Sequence, residues 1–110
     1  MNKPEIYIVI SYDSSLPAVP IQEVASGLEE EGVPYLLKED QKANHSIELG
    51  WNAASMSPLE VGVGIDESGC ICIHHRKLNP EKPYLQDNIQ NARKLGTNAA
   101  RLIKGLPLYD

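Results

Sequence analysis

Residues 5–10, Glu-Ile-Tyr-Ile-Val-Ile, constrain this chain more than any other stretch. A β-branched run with almost no polar break describes a strand covered on both faces, and such cover calls for helices above and below a largely parallel sheet. The chain therefore starts in the middle of its sheet.

The remaining patterns fit around that strand. Residues 11–15 (Ser-Tyr-Asp-Ser-Ser) occupy the place where a doubly wound fold puts a ligand loop, but they lack the glycines of a phosphate loop. Ile21, Val24, Ala25 and Leu28 recur at helical spacing. Pro20 fits the first turn of that helix, and Gly32 supplies a left-handed cap at its end. A short strand over 33–37 follows, then a polar connection over 38–44. Ser46 is the expected N-cap of a helix running to about residue 56, with Ile47, Trp51 and Ala54 on its packing face.

Residues 61–65 read as a strand whose two glycines, Gly62 and Gly64, share one face where a helix or a backbone must come close. A tight turn at 66–69 returns the chain into an antiparallel strand over 70–74. Residues 83–85 are a candidate edge strand. Helical segments are expected over 87–95 and 97–104, separated or kinked at Gly96. The sum is a three-layer α/β/α sandwich on a mostly parallel sheet with one antiparallel strand.

At 110 residues, 42% of them hydrophobic, the chain suffices for one core and reads as a single domain over residues 1–110. No apolar run approaches the roughly 20 residues of a membrane span, and the first residues lack the basic-then-apolar pattern of a secretory signal. Two cysteines, without a Cys-x-x-Cys pair, fit a reducing compartment, so the expected location is the cytoplasm with no membrane partner. A net charge of -5 disfavours nucleic acid, which requires a positive surface.

Three carboxylates, Glu29, Glu30 and Glu31, crowd the last turn of the first helix. Unpaired carbonyls make that end of a helix negative, so each acid there costs up to about 1 kcal/mol where Lys or Arg would help. Glu30 projects away from the apolar stripe, with Glu29 and Glu31 flanking it. Two readings fit: a solvated acidic surface, or a site that meets a cation, either a partner's Arg or Lys or a bound metal. Cys70, Cys72 and His74 also share one strand face, yet zinc takes four ligands, or three plus water, and no second ligand pair at recognisable spacing accompanies them. Trp51 reads as a half-buried packing residue and His75-Arg76-Lys77 as a solvated basic cluster. No nucleophile-base set and no cofactor fingerprint is visible in the chain, which points to a protein that does not itself catalyse a reaction.

Three ordered motifs carry a family resemblance. They are Gly27-Leu28-Glu29-Glu30-Glu31-Gly32-Val33-Pro34-Tyr35; Trp51-Asn52-Ala53-Ala54 with Ser57-Pro58-Leu59 and Val61-Gly62-Val63-Gly64-Ile65-Asp66; and Asn98-Ala99-Ala100-Arg101-Leu102-Ile103-Lys104-Gly105-Leu106-Pro107. Over nearly its whole length the chain resembles the small subunit of the diol and glycerol dehydratase reactivases. That resemblance implies a five-stranded fold of the anticodon-binding-domain-like kind, shared with the medium subunit of the dehydratase. It also implies a large actin-like ATPase partner holding ATP or ADP, in an α2β2 assembly. The client implied is a coenzyme B12-dependent dehydratase of propanediol utilisation or glycerol metabolism, from which damaged cobalamin is released by subunit exchange. The implied location is cytoplasmic, with association with a bacterial microcompartment. The resemblance further assigns Glu30 to a divalent metal, Mg2+, shared with the large subunit, and Glu29, Glu30 and Glu31 to the partner interface.

Two alternatives accompany it. The dehydratase medium subunit shares a Gly-x-Glu-Glu-Glu-Gly stretch and an Asn-Ala-Ala-Arg helix, but its long terminal extensions and the match of Ser57-Pro58-Leu59 and 104–107 favour the reactivase pattern. A flavodoxin-like binding module would use the 11–15 loop. One departure from the family is a shorter 83–98 segment.

Overall fold

The computed structural model describes residues 6–41 and 44–108. Its elements follow in the order β1 (Ile8–Asp13), α1 (Ala18–Glu30), β2 (Tyr35–Asp40), α2 (Ser46–Met56), β3 (Val61–Ile65), β4 (Cys70–His75), β5 (Leu85–Asn88), a 3-10 turn (Ile89–Asn91) and α3 (Ala92–Lys104). The strands lie in the order β2-β1-β3-β4-β5. β1 pairs in parallel with β2 and β3, whereas β4 is antiparallel to both β3 and β5, so β4 alone runs against the other four. The expected mixed α/β architecture is therefore the one observed.

Strand alternation sorts the side chains onto two faces. Ile8, Ile10, Val61, Val63, Ile65, Ile71 and Ile73 form one core with Ile21, Val24, Ala25 and Leu28 of α1 and Ala92, Leu95, Ala99 and Ala100 of α3. The other face carries Val9, Gly62, Gly64, Cys72 and His74 beneath α2, which buries Leu49, Ala53 and Ala54. A β-carbon on Gly62 would lie 2.1 Å from the Ala54 nitrogen, and one on Gly64 would lie 2.3 Å from the Gly50 nitrogen. The shared glycine face thus admits α2 at backbone contact, as the sequence requires.

α1 ends as anticipated. Gly32 sits at φ 75°, and the N–H groups of Gly32 and Val33 donate to the Glu29 and Leu28 carbonyls, each at 3.0 Å. α2 starts differently, because Ser46 is its first residue and not its cap. The cap comes from a distant part of the chain: the Ser46 N–H donates to Asp66 Oδ2 at 3.1 Å. Oδ1 of the same buried carboxylate accepts the Ser68 N–H and hydroxyl and the Cys70 N–H at 2.6–3.0 Å. One side chain thereby ties the β3–β4 turn to the start of a helix. Burial works against ionising Asp66, but these hydrogen bonds together outweigh it and leave its pKa below the ordinary 3.8.

Several boundaries depart from expectation. β1 begins at Ile8 and continues to Asp13, so the candidate ligand loop starts later than Ser11; Glu5 lies outside the described residues. β2 covers Tyr35–Asp40, not 33–37, because Lys38, Glu39 and Asp40 continue the ladder with Ser11, Tyr12 and Asp13. An edge strand bears such polar residues readily. β5 takes Leu85–Asn88, where part of a helix was expected, and α3 passes through Gly96 unbroken. Ile47 is only half-buried, and Leu49, Gly50, Ala53 and Ala54 form the packed face of α2, while Trp51 is half-buried as expected.

Gly96 explains its own position: a β-carbon there would meet the Val24 carbonyl oxygen at 2.1 Å. Gly96→Ala should gain about 1 kcal/mol of helix propensity and lose more to the forced separation of α1 and α3, a net loss of about 2 kcal/mol. Urea denaturation of parent and variant measures it; unchanged stability would refute the close crossing.

Asp66→Asn should cost about 2 kcal/mol at pH 7, since a charged acceptor of buried N–H groups is lost. With a depressed folded-state pKa, the carboxylate contribution is present above about pH 4 and disappears as pH falls through the folded-state value. Denaturation midpoints of parent and variant should accordingly converge in acid and separate toward neutrality.

Candidate functional site

The acidic triplet lies where α1 and α3 run side by side. Val24 meets Gly96 and Glu31 meets Arg101, so the two helices advance in the same direction and bring their C-terminal ends together. Two negative helix ends and three carboxylates then share one corner of the molecule, an arrangement that calls for cations. α1 has no basic residue in its last turn, and the cations come from α3. Arg93 pairs with Glu30, its Nε donating to Oε1 at 2.5 Å and its terminal nitrogen reaching the same oxygen. Arg101 Nε stands 3.7 Å from Glu31 Oε1 and also donates through a terminal nitrogen to the Pro107 carbonyl at 3.2 Å. Lys104 donates to the Glu31 backbone carbonyl, supplying from another helix the cation that α1 lacks at its end. Glu29 accepts from the Tyr35 hydroxyl at 2.7 Å, and this contact raises the Tyr35 pKa.

The sequence argument singled out Glu29, Glu30 and Glu31 and missed Arg93, Arg101 and Lys104. Their signal was present as a polar stripe on α3, where Arg93, Thr97 and Arg101 recur every four residues. The wrong-sign helix end is therefore answered within the chain. Glu29 and Glu30 are the exposed members of the set, and the Glu30 side chain is 51% exposed, against 22% for Glu31. Glu30, Glu31, Arg93, Lys94, Thr97 and Arg101 line a groove of about 420 Å³. This corner lies at the amino ends of β1 and β2, away from the carboxyl edge where open α/β sheets bind small ligands.

The other candidates have structural roles. His74 is fully buried; its Nδ1 accepts the His75 N–H at 2.9 Å and its Nε2 donates to the Pro80 carbonyl at 3.0 Å, pinning the loop after β4. Trp51 packs edge-on against that ring at a centroid distance of 5.3 Å. Burial, with Cys70 beside it, pushes the Cys72 thiol up to about 12. No cluster of three metal-ligating side chains occurs among the described residues. In the 11–15 stretch, Asp13 accepts the Ser15 N–H at 2.8 Å and its hydroxyl at 2.6 Å, which lowers the Asp13 pKa and turns those donors inward. His75, Arg76 and Lys77 gather around Glu60, with Arg76 at 2.5 Å. No helix among the described residues is long and apolar enough to cross a membrane.

Comparison with known proteins agrees with the resemblance read from the motifs. The family described as dehydratase medium subunit matches residues 3–109. The propanediol dehydratase-reactivating factor small subunit of Salmonella typhimurium is 40% identical over 93 residues, covering 80% of this chain and 78% of that protein. The diol dehydratase-reactivating factor small subunit of Klebsiella michiganensis is 38% identical over 81% of this chain and 73% of its own length. Among solved structures, a glycerol dehydratase reactivase superposes with a TM-score of 0.90 at 34% identity, covering 96% of this chain and 97% of that one. A diol dehydratase-reactivating factor complexed with ADP and Mg2+ gives 0.86 at 32% identity, over 97% and 100% of the two chains. The chain therefore belongs to the dehydratase medium-subunit family and is of the kind found as small subunits of dehydratase-reactivating factors.

Proposed function

We propose that this chain is the non-catalytic small subunit of a reactivating factor that, with a large ATPase subunit, releases damaged cobalamin from a coenzyme B12-dependent diol or glycerol dehydratase. The carrying observation is the superposition on a glycerol dehydratase reactivase over 96% of the chain at 34% identity. The subunit works as one domain in an α2β2 assembly, in the cytoplasm or with its client in a microcompartment. Relatives named as reactivating-factor small subunits favour this reading over the dehydratase medium subunit.

In this reading the α1 end is the partner surface, and Glu30 reaches a Mg2+ ion shared with the large subunit. A related factor complexed with ADP and Mg2+ supports the choice of metal. The residues fit a partial site only: Mg2+ takes about six oxygen ligands, and Glu30 offers one carboxylate. The remaining ligands belong to the partner and to water. This chain's part is to present the exposed Glu30 carboxylate, which Arg93 pairs with in the free chain, on a rigid helix end, while Tyr35 and Arg101 engage the flanking carboxylates. Adenine nucleotide chemistry stays with the large subunit.

Glu30→Gln keeps the shape and removes the charge, so it should weaken Mg2+-dependent binding to the large subunit about tenfold, with Glu29→Gln and Glu31→Gln doing less. Calorimetry decides; equal affinities for the parent and all three variants would refute the bridge. Subunit exchange makes a second prediction. Because the dehydratase medium subunit shares this fold, it should displace the small subunit from the same surface of the large one. Labelled small subunit mixed with large subunit, ADP and dehydratase should leave on size exclusion as free 12.1 kDa protein. A stable assembly holding both on one large-subunit site would exclude exchange.

A further inference from the structure

Arg93 lies between two carboxylates of α1. Its guanidinium pairs with Glu30 through Nε and one terminal nitrogen, while the other terminal nitrogen stands 3.8 Å from Glu23 Oε2. Glu23 and Glu30 are seven residues apart, two turns along the same helix, and Arg93 spans the gap between them. The backbone below is held in place, since the Arg93 carbonyl lies where a Gly27 β-carbon would stand at 2.3 Å and accepts the Thr97 hydroxyl at 3.1 Å. Only the side chain, 58% exposed, has room to move.

We infer that Arg93 is an internal competitor for Glu30, which it holds in the free subunit and surrenders by shifting to Glu23 when a divalent cation takes the Glu30 carboxylate. The inference rests on the assignment of Glu30 to a shared cation. A carboxylate neutralised by a guanidinium attracts a dication less than a bare one does, and a second positive charge beside a bound dication is repelled. Glu23 lowers the cost of release because the displaced guanidinium finds another carboxylate within about one ångström of hydrogen-bond reach. Arg93 thus positions Glu30 and sets how much Mg2+ the subunit requires before it docks. The exposed pair is weak enough to be broken by binding and strong enough to bias it.

The test is a Mg2+ titration of full-length small subunit binding to its large subunit. Arg93→Gln should lower the Mg2+ midpoint about threefold, and Glu23→Gln should raise it by about the same factor. Arg93→Lys, the second variant, should fall between parent and Arg93→Gln, and the Glu23→Gln effect should vanish when Arg93 is already Gln. A midpoint unmoved by Arg93 and Glu23 variants, in a system whose Mg2+ dependence Glu30→Gln abolishes, would overturn this inference and leave the cation assignment intact. An equal change of affinity at every Mg2+ concentration, chelator included, would also overturn it, since a merely structural role acts without regard to the ion. Mg2+ dependence that survives in Glu30→Gln, or is missing from the parent, would overturn both.

Discussion

The α1–α3 crossing is the contact on which the candidate site depends. Gly27 and Gly96 remove the side chains that would hold the helices apart, so each backbone packs where the other's β-carbons would have stood. Helices with ordinary side chains at a contact lie about 8–10 Å apart, and at such a separation cations on α3 would meet the α1 acids less directly. The glycines therefore do electrostatic work through geometry. They also lower intrinsic helix stability by roughly 1 kcal/mol each, a cost offset by the apolar burial beneath, where Val24, Leu28, Leu95 and Ala99 are nearly inaccessible.

Charge at this corner is concentrated and only partly compensated. Three carboxylates and two helix C-termini face Arg93, Arg101 and Lys104, and the chain as a whole carries -5. Exposed pairs of this type contribute about 0.2–1 kcal/mol each. Intramolecular contacts of this strength can give way to better ones without unfolding a helix. The carboxyl edge of the sheet serves another purpose: Asp13 and Asp66, the residues that a ligand-binding α/β fold would turn toward a substrate, organise their own turns instead.

Much of the fold was legible because apolar periodicity and glycine placement are local signals. Residues 5–10 announced a strand covered on both faces, Gly62 and Gly64 announced a helix at backbone contact, and Gly32 announced the end of α1. Where reading failed, the deciding contact came from far along the chain. β2 continues through Lys38, Glu39 and Asp40 because β1 offers partners to Asp13, and no local propensity reveals that ladder. Ser46 has the residue type of a cap, yet the acceptor at the start of α2 is Asp66, twenty residues later.

The sequence by itself determined the layered α/β class, the direction of the hairpin strand, the exposed acidic helix end and, through three spaced motifs, the family. Each follows from short-range pattern or ordered spacing, which a one-dimensional string preserves. Only the tertiary structure decided which groups answer the acidic triplet. Glu30 and Arg93 are sixty-three residues apart, and Lys104 lies seventy-three from Glu31. Coulomb attraction between such groups depends on separation in space, and the packing of α1 on α3 sets that separation.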